Sequence, residues 1–240
     1  MAAVEVIGEL FVEPTPERVV ASSADWILAR ICIVLTERER CAVALSGGST
    51  PGPVYRRLAE AGASGAFDSS RLDLYLADER CVPADDAESN ARLVRESWLA
   101  IDAGPTLHTP HGSGDDDPAA AAHSYGVLLP DALDLVVLGI GPDGHTASLF
   151  PGTATLAASD RVLFIDDSPK PPPQRWSLSA RALRNARTLV TIVTGADKAD
   201  AVHAALEGDW DPSATPAQLA RRGAWFVDAA AASKIQGETR

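Results

Sequence analysis

The sequence predicts an α/β fold of three layers, in which a doubly wound, largely parallel sheet carries helices on both faces. Short apolar runs rich in β-branched residues alternate with stretches of helical periodicity, and this order is typical of parallel sheets. Two of the apolar runs lead directly into glycine-rich loops, as at the ligand-binding edge of such sheets. With 240 residues, 46% of them hydrophobic, the chain can bury a substantial core. We therefore expect one domain over residues 1–240.

The individual elements follow from the same two periodicities. Apolar runs predict strands at 4–11, 41–45, 72–77, 133–138, 162–165, 175–179, 188–193 and 224–227. Helical spacing predicts helices at 15–38, 53–61, 89–98, 118–129, 180–186 and 198–206. Segment 168–173 is a proline-rich connector predicted to border the site, and segment 102–118 is predicted to be an acidic surface loop.

Charge and composition limit the partners. The formal net charge is −12, which argues against nucleic acid and anionic membranes as partners. Three cysteines without a CxxC motif suit a reducing compartment, and we see neither a signal segment nor an apolar stretch long enough to span a bilayer. These features predict a cytoplasmic protein. His108 and His111 lie in the acidic loop and are expected to be solvated, so we predict no metal site.

The loop Ser46-Gly47-Gly48-Ser49-Thr50-Pro51 joins a predicted strand to a predicted helix. Its backbone N–H groups and the positive end of the helix dipole would bind an anion, such as a phosphate. It lacks the lysine of a nucleotide triphosphate loop. The alternative is a tight turn in which Ser49 or Thr50 only caps the helix.

The stretch from Gly139 to Gly152 follows an apolar run rich in β-branched residues, predicted to be a buried parallel strand, and is the candidate active site. It sets Asp143 and His145, a carboxylate and the side chain that titrates near neutral pH, in a glycine-rich turn. Its first six residues also match GxGxxG, but Asp143 would lie beside the pyrophosphate of a dinucleotide, and Pro151-Gly152 leaves no long helix to bind it.

Two cations stand at the same predicted edge. Arg80 follows the strand at 72–77, either as a phosphate or carboxylate ligand or as part of a solvated loop. Lys198 begins a predicted helix, where the helix dipole disfavours a cation, so it either binds an anion there or is solvated.

These motifs together resemble the 6-phosphogluconolactonase family, of the superfamily that includes glucosamine-6-phosphate deaminase. The matching segments run in order over about residues 40–205, and they are 46–51, 78–80, 82–83, 85–86, 89–90, 139–152, 170–172, 194–195 and Lys198. The resemblance implies a Rossmann-like fold of the sugar-phosphate isomerase and lactonase type. It also implies hydrolysis of 6-phosphoglucono-1,5-lactone in the oxidative pentose phosphate pathway, without metal or cofactor.

The resemblance also implies roles for individual residues. His145 matches the general base that activates water, and Asp143 matches the acid beside it, which either orients the imidazole or caps the turn at Thr146. The residues that match positions handling the sugar phosphate are Ser46, Gly47, Gly48, Ser49, Thr50, Arg80, Lys198 and, with a weaker match, Arg175. The family often has a basic residue just after the first loop. This chain has Gly52-Pro53 there, and Arg56 is the candidate replacement.

Two other functions remain alternatives. A glucosamine-6-phosphate deaminase would carry a glutamate in the segment after the histidine, whereas residues 147–151 contain no carboxylate. A non-catalytic sugar-phosphate sensor would leave His145 without a purpose, and the N-terminal 40 residues lack a DNA-binding pattern. The expected partner is a phosphosugar lactone, bound by a monomer or a small homo-oligomer.

Overall fold

A computed structural model of the chain describes residues 8–114 and 117–236, and these form ten strands and six α-helices. The strands are β1 (Leu10–Glu13), β2 (Cys41–Leu45), β3 (Leu72–Leu76), β4 (Asp78–Arg80), β5 (Thr106–Leu107), β6 (Leu135–Leu138), β7 (Val162–Ile165), β8 (Arg175–Leu178), β9 (Leu189–Val193) and β10 (Ala224–Asp228). The helices are α1 (Pro16–Glu37), α2 (Pro51–Ala63), α3 (Asn90–Val94), α4 (Pro118–Leu128), α5 (Ala180–Asn185) and α6 (Ala199–Leu206). A π-helical turn, Arg95–Leu99, continues α3.

Seven strands form one sheet in the order β1-β10-β9-β6-β2-β3-β5, and every neighbouring pair is parallel. Alternate residues of β2 supply the two faces. Cys41, Val43 and Leu45 pack in one apolar layer with α1, α2 and α3, and Ala42 and Ala44 pack in the other with α4, α5 and α6. Burial on both faces explains why the two central strands β2 and β6 are apolar throughout. The predicted three-layer, largely parallel fold is confirmed.

The structure adds a second sheet that the sequence did not distinguish. Strands β4, β8 and β7 pair antiparallel in that order, so the runs at 162–165 and 175–178 lie outside the main sheet. Asp78 and Glu79 are strand residues and buried, instead of belonging to a solvated loop. The carboxylate of Glu79 accepts hydrogen bonds from the backbone N–H groups of Asn90 and Ala91, the first two residues of α3. It thereby stabilises the N-terminus of that helix.

Strand β1 and helix α1 are the first two elements of the described residues. The predicted first strand began at residue 4. Residues 4–7 lie outside the described residues, and β1 occupies an edge of the sheet. Helix α1 is long and apolar enough, by length and composition, to cross a membrane, contrary to the expectation that no such stretch exists. Its apolar face (Val19, Ala24, Ile27, Ile31, Leu35) is buried in the protein core, which accounts for that composition.

Candidate active site

A cavity of about 180 Å³ opens where β2, β4 and β6 end. The loops after adjacent parallel strands meet at this edge, which is the usual ligand-binding edge of such a sheet. Six of the residues predicted to form the site line the cavity: Ser46, Gly47, Gly48, Arg80, His145 and Arg175. The others that line it are Asp78, Asn90, Gly139, Ile140, Gly141 and Ala147.

His145 and Asp143 form a hydrogen-bonded pair in the turn after β6. The distance from His145 Nδ1 to Asp143 Oδ1 is 2.5 Å, and the ring packs against Phe150 with 4.6 Å between ring centroids. Within the described residues, the Asp143 carboxylate bonds only to side chains and does not cap the turn at Thr146. With Nδ1 donating to Asp143, Nε2 is the nitrogen left to accept a proton.

The turn closes around this pair because Gly141 has no side chain. A Cβ on Gly141 would lie 2.0 Å from both Cε1 and Nδ1 of His145 and 2.5 Å from Asp143 Oδ1. Glycine is therefore required at this close approach. Two residues beyond His145, Ala147 adopts a φ of +48°, a strained value for a residue with a Cβ, on the wall of the cavity.

The ionisation of the pair suits a base. Burial lowers the pKa of His145, and the neighbouring charge of Lys170 adds to that effect, against the opposing influence of Asp143. Burial would raise the pKa of Asp143, but its interactions with His145 and Lys170 outweigh it and lower that pKa to about 2. At neutral pH the pair is thus an imidazole, able to take up a proton, beside a carboxylate.

Two unpaired donors lie at this cavity. Ser46 Oγ and Arg80 Nε are buried and have no hydrogen-bond partner among the residues that the structure describes. Both belong to residues that line the cavity. Since a buried polar group without a partner is costly, these atoms indicate where an oxygen of a ligand would bind.

The guanidinium of Arg80 is held in place through Nη1, while its Nε has no partner among the described residues. Nη1 donates to the carbonyl oxygen of Glu88 at 2.6 Å and to Asn90 Oδ1 at 2.9 Å. The amide of Asn90 in turn donates to the carbonyl oxygen of Asp78 at 2.8 Å. Arg80 is therefore oriented before any ligand arrives, and this reduces the entropy that binding costs.

Arg175 is mostly occupied by the protein itself. Its Nε donates to the carbonyl oxygen of Pro172, and its Nη2 donates to those of Lys170 and Pro171. Nη1 lies 3.4 Å from Ser148 Oγ and 4.0 Å from Asp78 Oδ2. Few donors remain for a ligand, so the main visible task of Arg175 is to hold segment 168–173.

Ser49, Thr50 and Lys198, also predicted to belong to the site, do not line this cavity. Thr50 precedes α2 but makes no capping hydrogen bond, and its hydroxyl lies 3.1 Å from that of Thr194. That contact brings the loops after β2 and β9 together. Lys198 Nζ pairs with Asp197 Oδ2 at 3.0 Å.

Lys170 is the residue that the sequence reasoning left out of the site. Its Nζ lies 3.1 Å from Asp143 Oδ1 and 3.3 Å from His145 Nδ1. The signal was present, because segment 168–173 was expected to border the site. Only the fold shows that the lysine reaches the Asp143–His145 pair.

The described residues contain no group of three or more His, Cys, Asp or Glu side chains placed to hold a metal ion. His111, one of the two loop histidines, bonds the carbonyl oxygen of Val82 through Nε2. His108 Nε2 contacts Asp73 Oδ1.

Fold and site together define an α/β protein in which a cavity lined by two arginines lies beside a carboxylate–imidazole pair. Residues 14–227 match the model of the family described as glucosamine-6-phosphate isomerases/6-phosphogluconolactonase. The 6-phosphogluconolactonase of Mycobacterium leprae is 34% identical, over 98% of this chain and 99% of its own length. The human 6-phosphogluconolactonase is 37% identical, over 84% of this chain and 83% of its own.

Solved structures agree with these relatives. The 6-phosphogluconolactonase of Trypanosoma brucei superposes with a TM-score of 0.81 at 28% identity, covering 95% of this chain and 99% of that one. A monomeric glucosamine-6-phosphate deaminase gives a TM-score of 0.80 at 20% identity, covering 94% and 99%, and shares the fold. The chain belongs to the glucosamine-6-phosphate isomerase/6-phosphogluconolactonase family, which confirms the resemblance found in its sequence motifs.

Proposed function

We propose that this protein hydrolyses 6-phosphoglucono-1,5-lactone to 6-phosphogluconate, with His145 as the general base. The neutral imidazole hydrogen-bonded to Asp143 at the wall of the anion-binding cavity is the observation that carries the proposal. The names of the curated relatives support the same substrate. The reaction is the second step of the oxidative pentose phosphate pathway.

In the proposed mechanism, a water molecule donates a hydrogen bond to His145 Nε2 and attacks the lactone carbonyl carbon. Nε2 takes the proton as the new C–O bond forms, and Asp143 stabilises the imidazolium through Nδ1–H. The tetrahedral intermediate then collapses, and the C–O bond to the ring oxygen breaks. The imidazolium returns its proton to that oxygen, so that the product is the open acid and His145 is again neutral.

We assign the sugar phosphate to the hydrogen-bond donors of Ser46 and Arg80, which line the same cavity as His145. Ser46 Oγ and Arg80 Nε are unpaired, and the backbone of Gly47 and Gly48 lies beside them. Such local donors are needed because the net charge of −12 does not attract an anion from a distance. Ser49, Thr50 and Lys198 stay in the proposal as an outer part of this site, and Arg175 stays in it as a lining residue of the cavity.

The test compares fresh 6-phosphoglucono-δ-lactone with plain glucono-δ-lactone by following acid release above the spontaneous rate. We expect rapid hydrolysis of the phosphorylated lactone and poor hydrolysis of the plain one. Equal rates would refute the phosphate assignment. If the wild-type protein hydrolyses neither lactone but releases ammonia from glucosamine 6-phosphate, the deaminase function would replace the lactonase function.

Location and assembly complete the proposal. Cys32, Cys41 and Cys81 are free thiols in the structure, which fits a reducing compartment such as the cytoplasm. We also propose that the protein is a monomer or a small homo-oligomer. A sedimentation measurement of the purified protein would decide between the two.

A further inference from the structure

We infer that Lys170 is a positioning residue of the hydrolytic site, whose ammonium group fixes Asp143 and keeps His145 in its basic form. This inference rests on the proposed lactonase mechanism and adds a third member to the Asp143–His145 pair. It starts from the two contacts of Nζ, 3.1 Å to Asp143 Oδ1 and 3.3 Å to His145 Nδ1.

The first step of the argument concerns the shared oxygen. Asp143 Oδ1 accepts from both His145 Nδ1 and Lys170 Nζ. A carboxylate that is bonded from two sides cannot rotate away from the imidazole without losing a charge-assisted hydrogen bond. Lys170 Nζ and the protonated Nδ1 of His145 are both donors, so the 3.3 Å between them is not a hydrogen bond. It places the positive charge of the ammonium group next to the imidazole ring.

The second step concerns how Lys170 is brought there. Segment 168–173 is held by Arg175, which donates to the carbonyl oxygens of Lys170, Pro171 and Pro172. Ser168 Oγ also donates to the carbonyl oxygen of Lys170 at 3.0 Å. Arg175 is buried and lies in β8, so the position of the lysine is set by the second sheet. The lysine is thus built into the site instead of sampling it from solvent.

The third step concerns the charge balance at the imidazole. The charged groups around His145 are Asp143 from its own turn, Lys170 from segment 168–173 and Asp78 from β4. Arg80 and Arg175 line the same cavity. Lys170 opposes the carboxylates: a nearby positive charge disfavours the imidazolium, and the pKa of His145 lies below its usual value. Without Lys170, the pKa of His145 would be higher, so the imidazole would stay protonated to a higher pH. The pH range in which it can act as a base would then be narrower.

The test replaces Lys170 with methionine, which keeps the length of the side chain without the charge, and with arginine, which keeps the charge. The pKa of His145 is read by NMR in the ligand-free protein, with His145→Gln assigning the resonance. We expect Lys170→Met to raise that pKa by about half to one unit, since Lys170 is partly exposed and its charge is partly screened. Lys170→Arg should restore most of the difference.

Kinetics provide the second readout. The acid limb of kcat/KM should move to higher pH by the same amount in Lys170→Met. On that limb kcat should fall with little change in KM, by about three- to tenfold where the pH lies well below both pKa values. Lys234→Met is the matched control, because Lys234 is an exposed lysine paired with Asp200. It should leave both the limb and kcat unchanged.

The outcomes separate cleanly. An unchanged His145 pKa in folded Lys170→Met would overturn the inference, and so would a Lys170→Arg variant as impaired as Lys170→Met. A higher KM for the phosphorylated lactone with an unmoved acid limb would make Lys170 a substrate ligand instead. If the wild-type protein hydrolyses no lactone, the proposed function fails, but the NMR titration still decides the role of Lys170. Should Lys170→Met unfold, Lys170→Gln gives the same comparison.

Discussion

Gly141→Ala is the substitution that most directly tests the geometry of the Asp143–His145 pair. The new Cβ would lie 2.0 Å from the ring atoms Cε1 and Nδ1, so the imidazole must move by about 1.4 Å to reach the 3.4 Å of an ordinary contact. The ring cannot move with its partner unchanged, because the same Cβ would lie 2.5 Å from Asp143 Oδ1. Phe150, packed against the ring, restricts the movement further.

A displacement of this size takes Nε2 out of line with the attacking water. Misplacement of a catalytic group by about 1 Å costs on the order of 10²-fold in rate, or roughly 2.7 kcal/mol in the barrier. We therefore expect Gly141→Ala to lower kcat about 100-fold and to change KM little, since the donors proposed to bind the phosphate belong to the loop after β2 and to β4.

The assay is steady-state hydrolysis of 6-phosphoglucono-δ-lactone, together with thermal unfolding of each variant. Gly126→Ala is the control: Gly126 lies in α4, and its added Cβ would make contacts of 3.8 Å with Val162, so activity should be unchanged. A folded Gly141→Ala protein with wild-type kcat would refute the argument, because it would show that the reaction does not depend on this arrangement of the imidazole.

Four further outcomes are expected. His145→Ala should lower kcat by about 10²- to 10⁴-fold with KM nearly unchanged, and normal turnover would remove it from the mechanism. Because burial lowers the pKa of His145, the midpoint of the acid limb of wild-type kcat/KM, where the imidazole gains a proton, should lie below about pH 6.5. Arg80→Ala should raise KM for the phosphorylated lactone about ten- to a hundredfold and leave the plain lactone unaffected, and Lys198→Ala tests the outer site in the same assay. Glu79→Ala should cost about 3 kcal/mol of unfolding free energy in denaturant titrations, since it leaves the buried donors at the start of α3 unpaired, whereas exposed Glu60→Ala should stay within about 0.5 kcal/mol.

Much of the main sheet could be predicted because its information is local. The run at 41–45 is apolar at every position and the run at 189–193 at every position except Thr191, and the structure buries both strands completely between two layers of helices. Thr15 and Pro16 likewise mark the start of α1, where Thr15 accepts from the backbone N–H of Arg18. The parallel order of the strands follows from the helices between them.

The second sheet could not be predicted from such patterns. Strand β4 is Asp78-Glu79-Arg80, and three charged residues indicate a solvated loop when only their own properties are considered. They form a strand because distant partners pay the desolvation cost: Ser148 Oγ donates to Asp78, and the start of α3 donates to Glu79. The sequence around Asp78 and Glu79 does not show which distant residues will bond to them.

The fold class, the family and the turn that carries Asp143 and His145 could be predicted from the sequence, because periodicity, glycine placement and ordered motifs are properties of short segments. Which cations meet the imidazole depends instead on how distant segments pack. That packing brought Lys170 to the pair across 25 residues of chain and committed most of Arg175 to backbone carbonyls, and it left Arg80 Nε at the cavity without a hydrogen-bond partner among the described residues. Electrostatic interactions depend on distance in space, and that distance is set when the two sheets pack together.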